Sequence, residues 1–333
     1  MATTAINETN PTFADAMKLM DTSGAMIPIA EQLQRNIPEL NDATVKEGNL
    51  LTGHRIAHET ALPSVSWRTA NQGVASSKSR VHQVDEACGQ LAAKSVLDPD
   101  VANLGGNEQA VRAAYDSRFV RAMGHEVATG IWYHSRNTNP EKFDGMAMRL
   151  ASTTGLYGGQ VIDSQIAASG DDQASIYIMC WGPGGVYLIY PKGQTAGVKL
   201  TDMGLREATD ADGNSFPAWV SYWKWQVGLC VEDYRQVVRL ANIDTSAVAE
   251  TGTLLLQDML KAYFQIHNPS MGRMAMYLNR KIIAYLTSQS IFGAANSTLK
   301  YENDLATGQQ VMTFMGIPVR VTDSLLNTES IVS

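Results

Sequence analysis

Cysteine is scarce in this chain of 333 residues: Cys88, Cys180 and Cys230 are odd in number and far apart. No disulfide framework and no C-x-x-C pair can be built from that spacing, which fits a reducing compartment. Long hydrophobic runs are missing as well. Nothing approaches the ~18 apolar residues of a membrane span, and the opening MATTAINETNPTFADAMK holds no apolar signal core. The expectation is a soluble protein, cytosolic where it is made. Positive charge is in deficit, with 26 Lys+Arg against 33 Asp+Glu and a net charge of −7. That argues against a nucleic-acid binder, which normally carries a basic face. Catalytic signatures are also lacking: there is no G-x-S-x-G, no P-loop and no H-E-x-x-H.

The near misses have plainer readings. Gly182, Gly184 and Gly185 resemble a dinucleotide loop, but Tyr187 stands at the third glycine position and strand follows, so a hairpin turn is expected. His54 and His58 have the spacing of a metal pair without a third ligand, and read as surface histidines. His125 and His134 fall on different faces of a helix. The acid pairs Asp171-Asp172 and Glu232-Asp233 point to opposite faces if extended, so neither is a catalytic dyad. Trp223 and Trp225 share a strand face and read as core. Met271, Met274 and Met276 read as packing rather than a cofactor box. No cofactor, metal or catalytic group is expected.

With 44% hydrophobic residues the chain can build a real core. Residues 1–50 are poorly patterned and suit an arm lying on a neighbour. Residues 51–100 look like a long hairpin with a flexible middle. Its charge is lopsided. From His54 to Arg80 there are four basic residues (Arg55, Arg68, Lys78, Arg80) and one acid, Glu59; from Val81 to Glu108 there are five acids and one base, Lys94. A basic, weakly apolar loop on an acidic protein is expected to dock on a complementary surface, most simply another copy. Next comes the clearest helix. Asn107 is a candidate N-cap, and Val111, Tyr115, Phe119, Met123, Val127 and Ile131 recur every four residues, giving a spine over 107–135 of roughly 42 Å. Ile176 to Trp181 and Val186 to Tyr190 read as a hairpin through Gly182–Gly185. Two helical stretches follow, one through Leu254, Leu255, Met259 and Leu260, the other through Met274, Leu278, Ile282, Ile283 and Leu286.

The stretch Trp223 to Asp244, WKWQVGLCVEDYRQVVRLANID, begins as a strand with Trp223, Trp225, Val227, Leu229 and Val231 on one face. A charged cluster of Glu232, Asp233, Arg235 and Arg239 then surrounds Val237-Val238. Together with FMGIPVRVTDSLLNTE, from Phe314 to Glu329, and the weaker mark Asn279-Arg280, this resembles the major capsid proteins of tailed bacteriophages with the Hong Kong 97-type fold. The resemblance covers most of the chain, and its motifs are diagnostic only jointly. In the best-known members the Gly-Ile-Pro-Val-like strand precedes the peripheral strand and charged segment. Here Ile317-Pro318-Val319 comes last, as in a permuted variant found in some short-tailed phages.

The resemblance implies an α+β fold with an N-terminal arm (1–50), an extended loop (51–100), a peripheral domain with the spine helix (101–245) and an axial domain with the C-terminal strand (246–333). It implies a structural protein rather than an enzyme, one that assembles as hexamers and pentamers into an icosahedral shell around phage double-stranded DNA. Other implied partners are a scaffolding protein, a portal protein and a decoration or cement protein, with assembly in the host cytoplasm and a final place in the virion. Candidate subunit contacts are Arg55, Arg68, Lys78 and Arg80 in the loop and Glu232, Asp233, Arg235 and Arg239 in the peripheral domain. Some family members cross-link a loop lysine to a neighbour's asparagine. Lys78 is the only lysine between Lys46 and Lys94 and so the candidate, although ordinary salt bridges rank ahead. Rival readings are a shell for a cellular cargo compartment, a soluble α+β enzyme using Asp233, Arg235 and a histidine, and a capsid decoration protein.

Overall fold

The structure is a computed structural model that describes residue 11 and residues 35–103, 106–155, 157–166, 172–209, 213–246, 248–292, 299–303 and 310–333. Most of the expected N-terminal arm, and Asp171 of one acid pair, lie outside the described residues. The elements run β1 (Val45–Glu47), β2 (Gly53–Ala61), β3 (Arg80–Ala87), β4 (Gly89–Leu97), α1 (Glu108–Tyr133), β5 (Val161–Ile166), β6 (Gln173–Trp181), β7 (Val186–Tyr190), β8 (Val198–Thr209), β9 (Ser215–Val231), β10 (Val237–Asp244), α2 (Val248–Gln265), β11 (Arg273–Leu278), α3 (Arg280–Phe292), β12 (Leu299–Asn303), β13 (Gln310–Phe314) and β14 (Ile317–Val321). Short helical turns at Glu39–Asp42, Pro99–Ala102 and Met146–Arg149 punctuate them. The chain forms two compact units. The larger comprises Asn36–Gly89, Ala128–Ala196 and Val227–Ser333; the smaller includes Gln90–Val127 and Gly197–Gln226. The units interleave in sequence, so neither is one stretch of chain such as 101–245 or 246–333.

The larger unit is built on a mixed sheet ordered β5-β10-β6-β11-β14-β13-β12. Its central strand, β6, is buried at every residue, as expected of a strand covered on both faces. Ile178 sits between Val238 of β10 and Met276 of β11. That face packs on Leu255, Met259 and Ala262 of α2 and Ile282 and Leu286 of α3. On the opposite face Tyr177 lies between Arg239 and Tyr277, and Trp132, near the end of α1, covers the two tyrosine rings at centroid distances of 4.9 and 5.4 Å. Each such buried large side chain stabilises the fold by about 1.5–3 kcal/mol over exposure.

Several sequence expectations change here. The segment Ile176–Tyr190 is not a hairpin. β6 and β7 meet at a single pair, Trp181 and Val186, in parallel sense; β6 pairs with β10 and β11, whereas β7 pairs with β9 and β1. The glycines still matter, since Gly182 and Gly184 have φ of 147° and 82°, values L side chains avoid. Met274 to Leu286 is not one helix: β11 takes its first part and α3 the second, because Met276 and Leu278 complete the sheet. The far end of β9 is buried on both faces from Val227 to Val231, since Cys230 also packs on Ile56, Tyr187 and Ile189.

In the smaller unit α1 starts where Asn107 accepts the Ala110 N–H at 3.1 Å, the side-chain cap its sequence announces. Its 26 residues extend about 39 Å. Val111 and Tyr115 pack with Leu97, Val101 and Ala102. Strands β8 and β9 form a long antiparallel ribbon from Val198–Trp225 to Thr209–Ser215, and Arg112 bonds Asp202 at 2.9 Å while its guanidinium stacks over Trp219.

Candidate assembly surface

The extended hairpin is β2 and β3, paired antiparallel from Gly53–Ala87 to Ala61–Arg80. Its base is fixed to the larger unit by burial and charge. Ile56 joins Tyr187, Ile189 and Cys230. Glu86 pairs with Arg149, and both side chains are buried. Arg149 also donates to the Leu229 carbonyl at 3.0 Å and the Tyr234 hydroxyl at 3.1 Å, so its guanidinium binds hairpin, β9 and the following turn at once. Tyr234 stacks on Tyr157 with ring centroids 3.5 Å apart. His54 is buried, and its Nδ1 accepts the Asn49 N–H at 3.1 Å. It is not the surface histidine that its spacing suggests, because β2 turns it inward beside Tyr187. Among the described residues no three His, Cys, Asp or Glu side chains gather as a metal site.

The tip is the opposite case. Residues 62–79 have no regular structure and are exposed throughout. Leu62, Val65 and Trp67 are 77, 94 and 104% exposed, and large apolar side chains so bare mark an interaction surface. Arg68 donates to the Gln72 carbonyl of its own turn at 3.2 Å. Among the described residues Lys78 and Arg80 form no ion pair. Arg55 differs from these three. It forks onto Asp85 across the hairpin at 2.6 and 2.7 Å, and this bond holds the Asp85 carboxyl below its usual range. Its charge is therefore spent inside the subunit.

The peripheral candidates also separate. Glu232 is exposed and accepts the Gly184 N–H at 3.2 Å. Arg235 is exposed and clasps Asp233 at 2.8 Å. Burial works to raise the Asp233 carboxyl, but the Arg235 bonds outweigh it and hold it low. Arg239 is not a surface contact at all. It is 4% exposed, meets Glu329 at 2.8 Å, and donates to Ser175 and to the Leu150 carbonyl. Its position on β10 aims it across Tyr177 into the covered face of the sheet, so the charge that a sequence reads as superficial is an internal lock. Glu329 also accepts from Tyr133 and Ser175, which explains the polar mark at the end of the Phe314–Glu329 motif. Asn242 belongs to the same region. Its φ of 58° is one that Asn tolerates better than most residues, and it clasps Val332 through both backbone groups.

A second buried cluster gave no sequence signal. Glu39 accepts from the Trp132 indole at 2.8 Å and from Thr322. Asp42 meets Arg273 at 2.7 Å, Arg320 at 3.2 Å and the Tyr277 hydroxyl at 2.9 Å. These pairs join residues up to 283 positions apart, and only folding brings them together.

A groove of about 630 Å³ lies along the outer half of β2, between Ala57–Leu62 on one side and Tyr157, Gln160 and Glu232–Arg235 on the other. Among its described lining residues there is no catalytic constellation. The model of the family described as Major capsid protein GP7 matches residues 21–333. The chain belongs to that family. This capsid protein is also similar to a chain in the structure of bacteriophage Epsilon15, with 28% identity over 98% of this chain and 99% of the other and a TM-score of 0.78. Looser likenesses, to the capsid of bacteriophage JBD30 (12% identity, 90% of this chain and 95% of that one, TM-score 0.42) and to the holo-SrpI encapsulin complex from Synechococcus elongatus PCC 7942 (10% identity, 70% and 96%, TM-score 0.44), carry no argument. No curated protein matches. The fold is the Hong Kong 97-type α+β capsid fold, and the capsid protein is a structural component of the virion, not an enzyme.

Proposed function

We propose that this capsid protein builds its shell, as hexamers and pentamers around double-stranded DNA, by passing the hairpin tip of each subunit onto its neighbour. The observation that carries this is the contrast within one hairpin: a base whose charges are buried and paired, and a tip where Trp67 and Val65 are bare and Lys78 and Arg80 form no ion pair among the described residues. A shell of this kind relies on many modest contacts, because each added arm or loop raises the avidity of the lattice without making any pair strong enough to trap errors. The net charge of −7 fits a container that does not adhere to its DNA.

By region, residues 1–50 serve as an arm on a neighbour and 51–100 as the extended loop. The peripheral role falls to α1 with β8 and β9, and the axial role to the sheet carrying α2 and α3. The late position of Ile317–Val321 is read as a permuted order. Assembly in the host cytoplasm would use a scaffolding protein, and a portal would fill one vertex. A decoration or cement protein is compatible with the same surface. Lys78 is read as an ion-pairing residue for a neighbour's acids rather than a covalent cross-link, so denaturing gels of mature particles should show monomer alone. Negative-stain microscopy of the expressed protein tests the reading as a whole. Shells or hexamer-like rings support it, and small particles alone reject it.

A further inference from the structure

Charge is sorted by face in the smaller unit. Strands β4, β9 and β8 lie side by side, and successive residues of a strand point to opposite faces. One face meets α1: Leu97 and Trp219 pack with Val111 and Tyr115, Ser221 bonds Asp116, and Asp202 bonds Arg112. The register places Leu200, Leu205 and Glu207 on this side too, across from Trp223, Trp219 and Pro217. The other face carries Lys94 of β4, Lys224 of β9, and Lys199 and Arg206 of β8. Asp202 and Glu207 are the only carboxylates of the three strands, and both lie on the α1 side. Lys94, Lys199 and Arg206 are exposed, and none of the four cations forms an ion pair among the described residues. Lys199 and Lys224 are direct cross-strand partners. Like charges so placed destabilise a sheet, and an anion between them removes that cost.

The character of the face selects the anion. Ala218 and Val220 in its middle are buried, while the exposed Leu200 and Leu205 belong to the α1 side. Protein interfaces are poor in lysine and built around aromatic or apolar anchors, and this face has the opposite composition. Seven residues of strand separate Lys199 from Arg206, about 23 Å, or roughly seven base pairs along a duplex. We propose that this basic sheet face is a contact for the phosphate backbone of the enclosed double-stranded DNA, with Lys94, Lys199, Lys224 and Arg206 facing phosphates and the hydroxyls of the paired Thr201 and Tyr222 donating between them. This rests on the reading of the shell as a container for DNA and adds the surface that touches it. The net charge of −7 averages over both faces, so most of the subunit still repels DNA and the contact stays weak and salt-labile.

Fluorescence anisotropy of a labelled duplex of arbitrary sequence with the unassembled full chain tests this. Affinity should fall on the order of a hundredfold between about 50 and 200 mM salt, the dependence of four phosphate contacts. Joint replacement by Lys94→Gln, Lys199→Gln, Arg206→Gln and Lys224→Gln should weaken binding at least tenfold at the lower salt and abolish its salt dependence. Each single change should reduce the salt slope by about one. A control with Arg136→Gln and Lys281→Gln, exposed cations of the larger unit, should bind like the unaltered chain. Thermal melting checks folding, and Lys199→Gln should keep or raise the melting temperature because it relieves the like-charge pair. Normal binding by the fourfold variant, or an equal loss in the control, overturns the proposal. Polyglutamate that displaces the duplex at a lower concentration of charge assigns the face to an acidic protein segment instead. Closed shells should not take up added duplex; shells that do bind it turn the face outward and overturn the contact with enclosed DNA. Any of these failures leaves the shell reading standing, whereas a chain that forms no shells or rings overturns the container reading whatever its subunits bind.

Discussion

The two ends of the extended hairpin differ in nearly every physical respect. At the base, Glu86 and Arg149 are both buried, Ile56 sits in an apolar cluster, and Arg149 binds Glu86, Tyr234, Leu229 and Asp144 at once. At the tip, tryptophan and valine are bare and the basic side chains meet no acid within the described residues. The difference teaches how a shell subunit separates two tasks. Groups that hold the subunit together are withdrawn from solvent and matched internally. In the proposed reading, the groups that hold the lattice together are those displayed on the exposed tip, residues 62–79. Arg55 marks the border: it lies on the hairpin but is already matched by Asp85.

The contrast can be broken most forcefully at the internal locks. Arg239→Ala leaves Glu329 buried without its cation, and removing one partner of a buried pair typically costs ~3–5 kcal/mol. Chemical denaturation should show a loss of that size, and a midpoint shift consistent with less than about 1 kcal/mol would deny Arg239 its role as a lock. Glu86→Ala strands Arg149 in the same way, with a cost toward the lower end of that range, ~3 kcal/mol. Limited proteolysis should then cut within β2 or β3, where the unaltered chain resists.

Glu39 supplies a pH test. Burial raises its carboxyl above the usual 4.5, against the hydrogen bonds from Thr322 and Trp132 that lower it, with Asp42 adding to the rise. The folded state therefore binds this proton at a higher pH than the unfolded chain does. Its contribution to stability is full below 4.5 and is lost as pH rises through the folded value. Glu39→Gln should flatten that part of the stability profile, and an unchanged slope would remove Glu39 as its source. The smallest effect on the subunit is expected at the tip. Trp67→Ser should alter unfolding free energy by no more than about 0.5 kcal/mol while abolishing shells in sedimentation. A subunit that loses stability with this change would show that the tip is not separate after all.

Much of the local architecture was legible in the residues. The cap at Asn107 and the four-residue recurrence through Val111, Tyr115, Met123 and Val127 announce α1, because helix geometry turns spacing into a face. The loop's excess of base, four basic residues against Glu59 from His54 to Arg80, was legible as well. The pairing of β6 was not. Val186–Tyr190 follows a glycine turn and has every local mark of a hairpin partner, but the sheet gives β6 two other neighbours. Strand pairing is decided by which long-range partners cover both faces. The same limit hid the role of Arg239, whose sequence neighbours suggest a charged surface.

The sequence by itself determined the class of protein: an acidic chain without catalytic spacing, with a basic, partly apolar loop and the motif residues from Trp223 to Asp244 and Phe314 to Glu329. Composition and local periodicity carry that information because they act over a few residues. Only the tertiary structure decided which charges are available to a neighbour. Arg239 and Glu86 are consumed by Glu329 and Arg149, partners 90 and 63 positions away, and Arg55 by Asp85 across the hairpin. Arg68, Lys78 and Arg80 remain displayed. Burial and pairing are properties of distance in space, and the order of residues along a chain does not contain them.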